Sequence, residues 1–215
     1  MTESWDKYAA EWDDNEAVIT YSKKAFASLC EIAELDGLRI FDFGCGTGLL
    51  SEQMAKHAER IVALDPSVKM AAVLKRKNLR NVDALVGEIT DETLQSRADF
   101  VSSFDLVVAS SVCAFLPDYR LTLGLLKRLL KPRGLLIQWD WLKSGEDQES
   151  GFTESEVATE FERVGLRVLS ISTPFSLDGE SGGMKVVMGV GMSNQLLNTD
   201  GMKRRYFVAP PHAAG

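Results

Sequence analysis

Three glycines at every second position, Gly44, Gly46 and Gly48, interrupt the stretch FDFGCGTGLLS that spans residues 41–51. Apolar residues lead into them and helix-forming residues follow. This layout is typical of a strand that ends in a tight turn, after which a helix directs its amino end toward the space above. Glycine is needed where the backbone takes a positive φ, or where a ligand approaches without a Cβ in its way. The turn therefore predicts a site for a nucleotide or nucleoside.

Strand and helix patterns alternate along most of the chain. Apolar runs predict strands at residues 39–43, 60–64, 82–86, 104–109, 135–139, 166–172 and 185–191. Helical patterns cover residues 4–13, 16–33, 48–57, 68–77, 91–97, 118–130 and 153–164. The alternation predicts an α/β fold with a doubly wound, mostly parallel seven-stranded sheet flanked by helices. We expect one domain over residues 1–193, with a helical lid at about 1–34 and a loosely held tail at 194–215.

The composition fits a globular domain of 215 residues, with 45% hydrophobic and 26% charged residues. A net charge of −7 disfavours a surface that binds nucleic acid. The sequence shows neither a signal-peptide pattern nor an apolar run of the roughly 20 residues that span a membrane, so we expect a cytoplasmic protein. Cys30, Cys45 and Cys113 form no CxxC pair, so we expect neither a disulfide nor a metal site. The oligomeric state stays open.

Two ligand classes compete for the glycine turn. A dinucleotide-binding turn has the pattern GxGxxG, but Leu49 stands where its third glycine belongs, which disfavours a nicotinamide cofactor. Both classes require an acid at the end of the second strand to bind ribose hydroxyls. Asp65 meets that requirement, twenty-one residues after Gly44.

Five motifs in order separate the two classes. They are DFGCGTG from Asp42, ALDPSVKM from Ala63, GEI from Gly87, FDLVVASS from Phe104 and LLKPRG from Leu129. The series resembles the class I S-adenosylmethionine-dependent methyltransferases over roughly residues 35–140. The resemblance implies a Rossmann-like methyltransferase fold, S-adenosylmethionine as the cofactor, and methyl transfer as the activity.

The resemblance also implies cofactor-binding roles for the residues that match the family motifs. In order along the chain they are Asp42 near the amino group of the ligand, Gly44, Cys45 and Gly46 under its methionine and ribose, Asp65 at the ribose hydroxyls with Pro66 and Ser67 in the same motif, Met70 on the adenine face, Gly87, Glu88 and Ile89 at the adenine edge, and Ser110 near the sulfonium. A carboxylate that accepts two hydroxyl donors makes a strong and specific contact.

The segment of residues 5–13, WDKYAAEWD, looks like the aromatic and acidic leader of small-molecule members of this family. In those enzymes the leader folds over the cofactor as a lid. Tyr8 and Trp12 are four residues apart, on one face of the predicted helix, where they are placed to meet the methionine carboxylate or the sulfonium. Tyr21 is a third candidate of this kind. Packing of these rings onto the domain is an equally good interpretation.

A general base is needed only if the methyl acceptor must lose a proton. Asp140 is the candidate, because it lies at the carboxyl end of the fifth predicted strand, where ligands bind in such sheets. The competing interpretation is that Asp140 only caps the next turn. His57 is expected on the surface, about 13 Å along its helix from the turn, and His212 lies in the tail.

The predicted function is methyl transfer from S-adenosylmethionine to a small molecule whose acceptor atom (O, N or C) is open. Three alternatives stay open. They are a non-catalytic S-adenosylmethionine-binding protein, an NAD-dependent oxidoreductase, and a methyltransferase acting on a macromolecule. The basic run Lys203-Arg204-Arg205 is the only feature that favours the last of these.

Overall fold

The computed structural model describes residues 5–143, 150–178 and 183–194. The strands are β1 (Arg39–Phe43), β2 (Arg60–Asp65), β3 (Val82–Val86), β4 (Phe104–Ser110), β5 (Leu130–Trp141), β6 (Leu166–Leu177) and β7 (Met184–Ser193). The α-helices are α1 (Glu16–Ile32), α2 (Leu49–Met54), α3 (Val68–Arg76), α4 (Asp91–Ser96), α5 (Tyr119–Leu129) and α6 (Glu154–Arg163). Single 3-10 turns lie at Trp12–Asp14, Ala98–Phe100 and Cys113–Phe115.

The seven strands form one sheet in the order β3-β2-β1-β4-β5-β7-β6. The pairs among β1 to β5 are parallel, whereas β7 runs antiparallel between β5 and β6. The predicted α/β class and the mostly parallel sheet are therefore confirmed. The strand order reverses between β1 and β4, and ligands of open α/β sheets bind at such a point, beyond the carboxyl ends of the strands.

Both faces of the sheet are covered, which explains the continuous apolar character of the central strands. Helices α1 to α3 pack on one face in a core that includes Leu29, Met54 and Leu74. Helices α4 to α6 pack on the other, where Leu126 and Phe161 are fully buried. The two layers hold the carboxyl edge of the sheet rigidly.

The predicted helix over residues 4–13 is wrong beyond Asp6. Trp5 and Asp6 are helical, the chain then turns, and a single 3-10 turn follows at Trp12–Asp14. The turns are closed by short-range bonds such as that from Tyr8 N to Trp5 O, at 3.1 Å. Trp, Tyr and Asp are mediocre helix formers, and contacts with the domain described below override the local pattern. The predicted lid is consequently helical only in α1.

The fifth strand begins earlier than predicted. Helix α5 ends at Leu129 and β5 starts at Leu130, so the Pro-Arg-Gly segment lies inside the strand rather than before it. A register shift against β4 between Phe104 and Leu106 accommodates this segment, and Arg133 takes a φ of 65° there. An irregularity of this kind tolerates proline, which cannot donate to the ladder.

Other differences concern element ends. Helix α2 is shorter than its predicted span 48–57, whereas β6 and β7 run past their predicted ends. The predicted capping box of Thr153 and Glu156 is confirmed at the start of α6. The predicted tail lies, except for Asn194, outside the described residues, and so do Lys203-Arg204-Arg205 and His212. No helix within the described residues has the length and apolar character to cross a membrane.

Candidate cofactor and acceptor site

All three glycines of the turn after β1 have positive φ, at 67° for Gly44, 55° for Gly46 and 81° for Gly48. A Cβ at Gly44 would lie 2.4 Å from a methyl group of Val112, and one at Gly48 would lie 2.3 Å from Leu74. Packing therefore excludes side chains at both positions. Gly46 differs.

A Cβ at Gly46 would have only the indole nitrogen of Trp12 within 4 Å, at 3.7 Å. The middle glycine thus faces the space between the turn and the leader. That space is where the glycine pattern predicts a ligand, and where a bare backbone permits close approach.

Asp65 ends β2 and is 8% exposed. Its Oδ2 accepts a hydrogen bond from Gly46 N and its Oδ1 accepts one from Ser67 N, both at 2.8 Å. Burial raises the pKa of Asp65, and the two backbone donors lower it. Because a carboxylate has about four acceptor positions, each oxygen keeps capacity for a further donor. A pair of vicinal ribose hydroxyls fits that capacity.

Asp42 lies on β1, two residues before the turn, and is almost fully buried. Its Oδ2 accepts a hydrogen bond of 2.6 Å from Ser51 Oγ, which ties the strand to α2. Burial raises the pKa of Asp42 to about 7. Cys45 is half-buried in the turn, and burial also raises the pKa of its thiol. Asp42 thus supports the turn from beneath.

The residues expected to face adenine gather at the ends of β2 and β3. Gly87 N donates to Asp65 O at 3.0 Å, which places the loop after β3 beside the loop after β2. Met70 and Ile89 are buried at this corner, whereas Glu88 is exposed. Pro66, half-buried, and Ser67, which caps α3, complete it. These six residues therefore lie in adjoining segments at the carboxyl ends of β2 and β3.

Two leader carboxylates bind to opposite sides of the site. Asp6 accepts from Ser67 Oγ and from Lys69 N at the start of α3, and the Ser67 hydroxyl lowers its pKa. Asp13 accepts from the hydroxyl of Thr47 in the glycine turn and pairs with the Lys77 ammonium at 2.8 Å. These contacts hold the leader across the sheet edge despite its loss of helix.

The leader's aromatic rings extend this cover toward β4. Trp5 contacts Trp12 edge-on, with ring centroids 6.0 Å apart, and reaches Phe115 at 5.1 Å. The ring centroids of Tyr8 and Trp12 lie 6.4 Å apart, although the segment between them is not helical. Phe115 follows β4, in the turn Cys113–Phe115. The leader therefore spans from the cofactor turn to the loop after β4.

Tyr21 of α1 packs its ring against Trp141 and Phe175, with centroids 5.3 and 5.4 Å away. Its hydroxyl is buried and makes no hydrogen bond of normal geometry with any described residue. Burial raises the pKa of Tyr21, and Ser111 and Ser110 at the end of β4 oppose that rise. A buried unpaired hydroxyl is costly unless a ligand or water completes it. Tyr21 is thus available to a polar group near Ser110.

Asp140 is 1% exposed, one residue before the end of β5. Its Oδ1 accepts from Ala114 N at 3.3 Å, and its Oδ2 accepts from Gln138 Nε2 at 3.0 Å. Burial raises the pKa of Asp140 to about 7, against the opposing effect of these donors. The carboxylate thus binds the turn after β4, rather than the next turn along the chain that the capping interpretation expects. Its pKa also suits a group that exchanges protons near neutrality.

The site contains functional candidates that the sequence did not reveal. Asp6 and Asp13 lie in the leader motif, but only the structure shows that they attach it. Gln138 and Tyr119 form a hydrogen-bonded chain to Asp140. An amide within the apolar run Leu135–Trp139 was the available signal for Gln138. His57, as expected, lies at the surface, where it stacks on Phe26.

Comparisons with known proteins agree with this geometry. The profile of a family described as "Methyltransferase domain" matches residues 41–138. A methyltransferase of Schizosaccharomyces pombe is 28% identical over 151 residues, covering 67% of this chain and 53% of its own. A "Cypemycin N-terminal methyltransferase" of Streptomyces is 32% identical over 149 residues, covering 67% and 52%. The chain thus spans about half the length of these curated relatives.

Solved structures share the fold. An S-adenosylmethionine-dependent methyltransferase from Aquifex aeolicus matches with a TM-score of 0.69 and 20% identity, over 87% of this chain and 98% of that one. A chain from the complex of the Haloferax volcanii Trm112 methyltransferase activator with a methyltransferase matches with a TM-score of 0.75 and 18% identity, over 89% and 98%.

The fold, the glycine turn and the strand-end acid define a Rossmann-like α/β domain. Its residues 41–138 match the methyltransferase-domain family. The sequence resemblance implies S-adenosylmethionine as the cofactor. The residues present fit that group, since Asp65 retains acceptor capacity, Gly46 offers bare backbone, and the Tyr21 hydroxyl awaits a partner.

Proposed function

We propose that the protein transfers a methyl group from S-adenosylmethionine to a small-molecule acceptor. The observation that carries this proposal is that the leader covers the glycine turn and Asp65. Gly46 N donates to Asp65, and hydrogen bonds from Thr47 and Ser67 attach the leader on either side of this pair. A leader in this position limits the acceptor to molecules small enough to enter the site beside it. The net charge of −7 gives no support to a polyanionic acceptor.

S-adenosylmethionine, when bound, supplies a methyl group already activated on a positively charged sulfur. The chain's own contribution is alignment and exclusion of water, which is worth up to roughly 7–11 kcal/mol in well-oriented reactions. Asp65 fixes the ribose, and the glycine turn supports the methionine part. The leader aromatics, above all Trp12, cover the site from solvent and offer π faces to a cation.

Asp140 is the proposed proton acceptor. If the nucleophilic atom of the acceptor carries a proton, that proton would have to leave as the atom takes the methyl group that bound S-adenosylmethionine would supply. The Asp140 carboxylate takes it and becomes the carboxylic acid, which its pKa of about 7 permits. Access requires the Cys113–Phe115 turn to move, because Asp140 is buried beneath it.

The similar proteins do not indicate which atom of the acceptor is methylated, because their names refer to different acceptors. One relative in Nitrobacter winogradskyi is named a ubiquinone biosynthesis O-methyltransferase, and the Streptomyces relative is named for an N-terminus. We propose a neutral or cationic small molecule, because acids outnumber bases in this chain, by 31 to 24.

A second function has support from one observation. The [4+2]-cyclase SpnF shares the fold, with a TM-score of 0.65 and 15% identity over 79% of this chain and 80% of that one. The fold therefore also occurs in a protein named for a reaction other than methyl transfer, and the second function that we consider is binding of S-adenosylmethionine without methyl transfer. The burial of Asp140 is consistent with that alternative.

One experiment separates the two functions. The protein is incubated with a metabolite extract and S-adenosylmethionine that carries a deuterated methyl group, and masses shifted by the label are sought. A labelled product together with S-adenosylhomocysteine supports methyl transfer. Tight calorimetric binding of S-adenosylmethionine without any labelled product supports the binding-only function. Absence of binding contradicts both.

A further inference from the structure

Gln138 is a buried amide in the middle of the sheet. It lies on β5 between β4 and β7, is 0% exposed, and has Ile137 and Trp139 as chain neighbours. An unpaired amide in such surroundings is strongly unfavourable, so its hydrogen-bond partners decide whether it is tolerated. The structure supplies both partners from side chains.

The two amide atoms make different bonds. Tyr119 Oη lies 2.6 Å from Gln138 Oε1, and Gln138 Nε2 lies 3.0 Å from Asp140 Oδ2. The phenol donates to the amide oxygen, and this fixes the NH2 group toward Asp140. The reversed amide would place an oxygen against the carboxylate, so it is compatible only with a protonated Asp140.

The other Asp140 oxygen accepts from Ala114 N, so the carboxylate is held between Gln138 and the Cys113–Phe115 turn. The titratable groups around it are Cys113 in that turn, Tyr21 from α1 and Tyr119 from α5. All three are neutral near pH 7, since burial raises the pKa of each. Gln138 is therefore the side chain that donates to this carboxylate from the sheet.

We propose that Gln138, oriented by Tyr119, is a positioning residue that holds Asp140 as an aligned carboxylate and sets the pH range in which it accepts a proton. The effect of Gln138 on the reaction rate rests on the proposed catalytic role of Asp140. The effect of Gln138 on the pKa of Asp140 does not depend on that role. Removing the Gln138 donor destabilises the anion relative to the acid. The pKa of Asp140 then rises further.

The test titrates Asp140 directly in protein carrying aspartate labelled with carbon-13 at the side-chain carboxyl. Carbon-13 NMR follows the resonance that is lost in Asp140→Asn. Gln138→Leu, close in size, is expected to raise the pKa of Asp140 by about one unit, a tenfold change in proton affinity. Tyr119→Phe keeps the amide but frees its orientation, and a smaller shift in the same direction is expected. It also serves if Gln138→Leu fails to fold.

Ser28→Ala is the matched control. The Ser28 hydroxyl accepts from Trp139 Nε1 at 2.9 Å, so this variant also removes a buried hydrogen bond to β5, from the residue adjacent to Gln138. It should lower stability without moving the Asp140 resonance. The proposal is overturned if Ser28→Ala shifts the pKa of Asp140 as much as Gln138→Leu does. It is also overturned if neither Gln138→Leu nor Tyr119→Phe shifts this pKa.

The pH dependence of kcat/KM distinguishes failure of the inference from failure of the proposed mechanism. If Asp140 is the base, the acid limb of the kcat/KM profile moves to higher pH in Gln138→Leu. The size of this movement should equal the shift in the pKa of Asp140 that NMR measures. A shifted NMR titration with an unmoved rate profile supports the positioning role and refutes Asp140 as the base. An unmoved NMR titration refutes positioning, whatever the rates show.

Discussion

Asp65 and Asp140 both lie at the carboxyl edge of the sheet, and the two halves of the site use them differently. Asp65, at the end of β2, binds backbone N–H groups of its own turn and of the glycine turn, and keeps acceptor capacity for a ligand. Asp140, near the end of β5, is closed off by a neighbouring turn and by a side-chain amide from its own strand.

The difference shows what each half is built to do. Backbone donors are fixed by the fold, so the Asp65 half is preorganised to accept hydrogen bonds from a ligand. Side-chain donors can rearrange, and burial raises the pKa of Asp140 to about 7, so that half is suited to a change of protonation. We infer a rigid cofactor half and an adjustable acceptor half.

The largest effect is expected for Asp140→Asn. The amide cannot take a proton, so the rate of methyl transfer should fall by about a hundredfold or more, as for loss of a general base. S-adenosylmethionine affinity should stay unchanged, because Asp140 lies in the other half of the site. Single-turnover kinetics and calorimetry measure the two quantities.

A parallel loss of cofactor affinity in Asp140→Asn would contradict the division into two halves. An unchanged rate would instead retire Asp140 as a base and leave only its contact with the Cys113–Phe115 turn.

The next effect concerns the cofactor half. Asp65→Ala should weaken S-adenosylmethionine binding by at least about tenfold, because a charge-assisted contact to two hydroxyls is lost. Isothermal titration calorimetry measures the affinity, and the thermal midpoint without ligand reports the loss of the turn contacts. Asp83→Ala, on the neighbouring β3, removes a surface partner of Arg60 and is the control. Equal affinities in all three proteins would refute the ribose contact.

The sequence predicted the glycine turn and the strand-end position of Asp65, because both are encoded in short stretches of the chain. Gly44, Gly46 and Asp65 belong to motifs whose spacing is fixed by strand–turn–helix geometry. The chain from Tyr119 through Gln138 to Asp140 joins a helix to a strand by side chains alone, and no local pattern encodes it. The leader failed as a predicted helix for a related reason. Its conformation is set by the distant partners Ser67 and Thr47, which local propensity does not include.

A smaller effect is expected from the cover over both halves. Deleting residues 1–13 should lower turnover roughly fivefold, equivalent to about 1 kcal/mol of transition-state stabilisation, while changing unfolding less. The reason is that the leader connects the glycine turn to Phe115 but adds little to the core. Steady-state kinetics and denaturant unfolding measure the two quantities. Lys7→Ala, at an exposed leader position, should leave both unchanged.

An unaltered turnover after this deletion would show that the leader only packs on the domain. A collapse of stability with turnover would show that it is part of the fold. Either result would contradict the function of the leader as a lid over the site.

The smallest effect concerns Asp42 and the pH dependence of stability. Asp42 lies in the cofactor half of the site, but burial raises its pKa to about 7, as it does for Asp140 in the acceptor half. Its folded pKa of about 7 exceeds its ordinary value of 3.8, so the folded protein holds this proton more tightly than the unfolded chain. The stabilisation is complete below the unfolded pKa and is lost as pH rises through the folded one.

Between pH 5 and pH 8 the wild type should therefore lose at least about 1 kcal/mol more unfolding free energy than Asp42→Asn, whose amide still accepts from Ser51 but does not ionise. Urea unfolding at both pH values measures this difference, and Asp178→Asn, at an exposed position, is the control. Asp140 is present in all three proteins, so its own contribution cancels. Parallel pH curves for wild type and Asp42→Asn would mean that Asp42 stays ionised beneath the glycine turn. In that case the binding half would contain a buried ionised carboxylate, and a pKa near 7 would belong to the acceptor half alone.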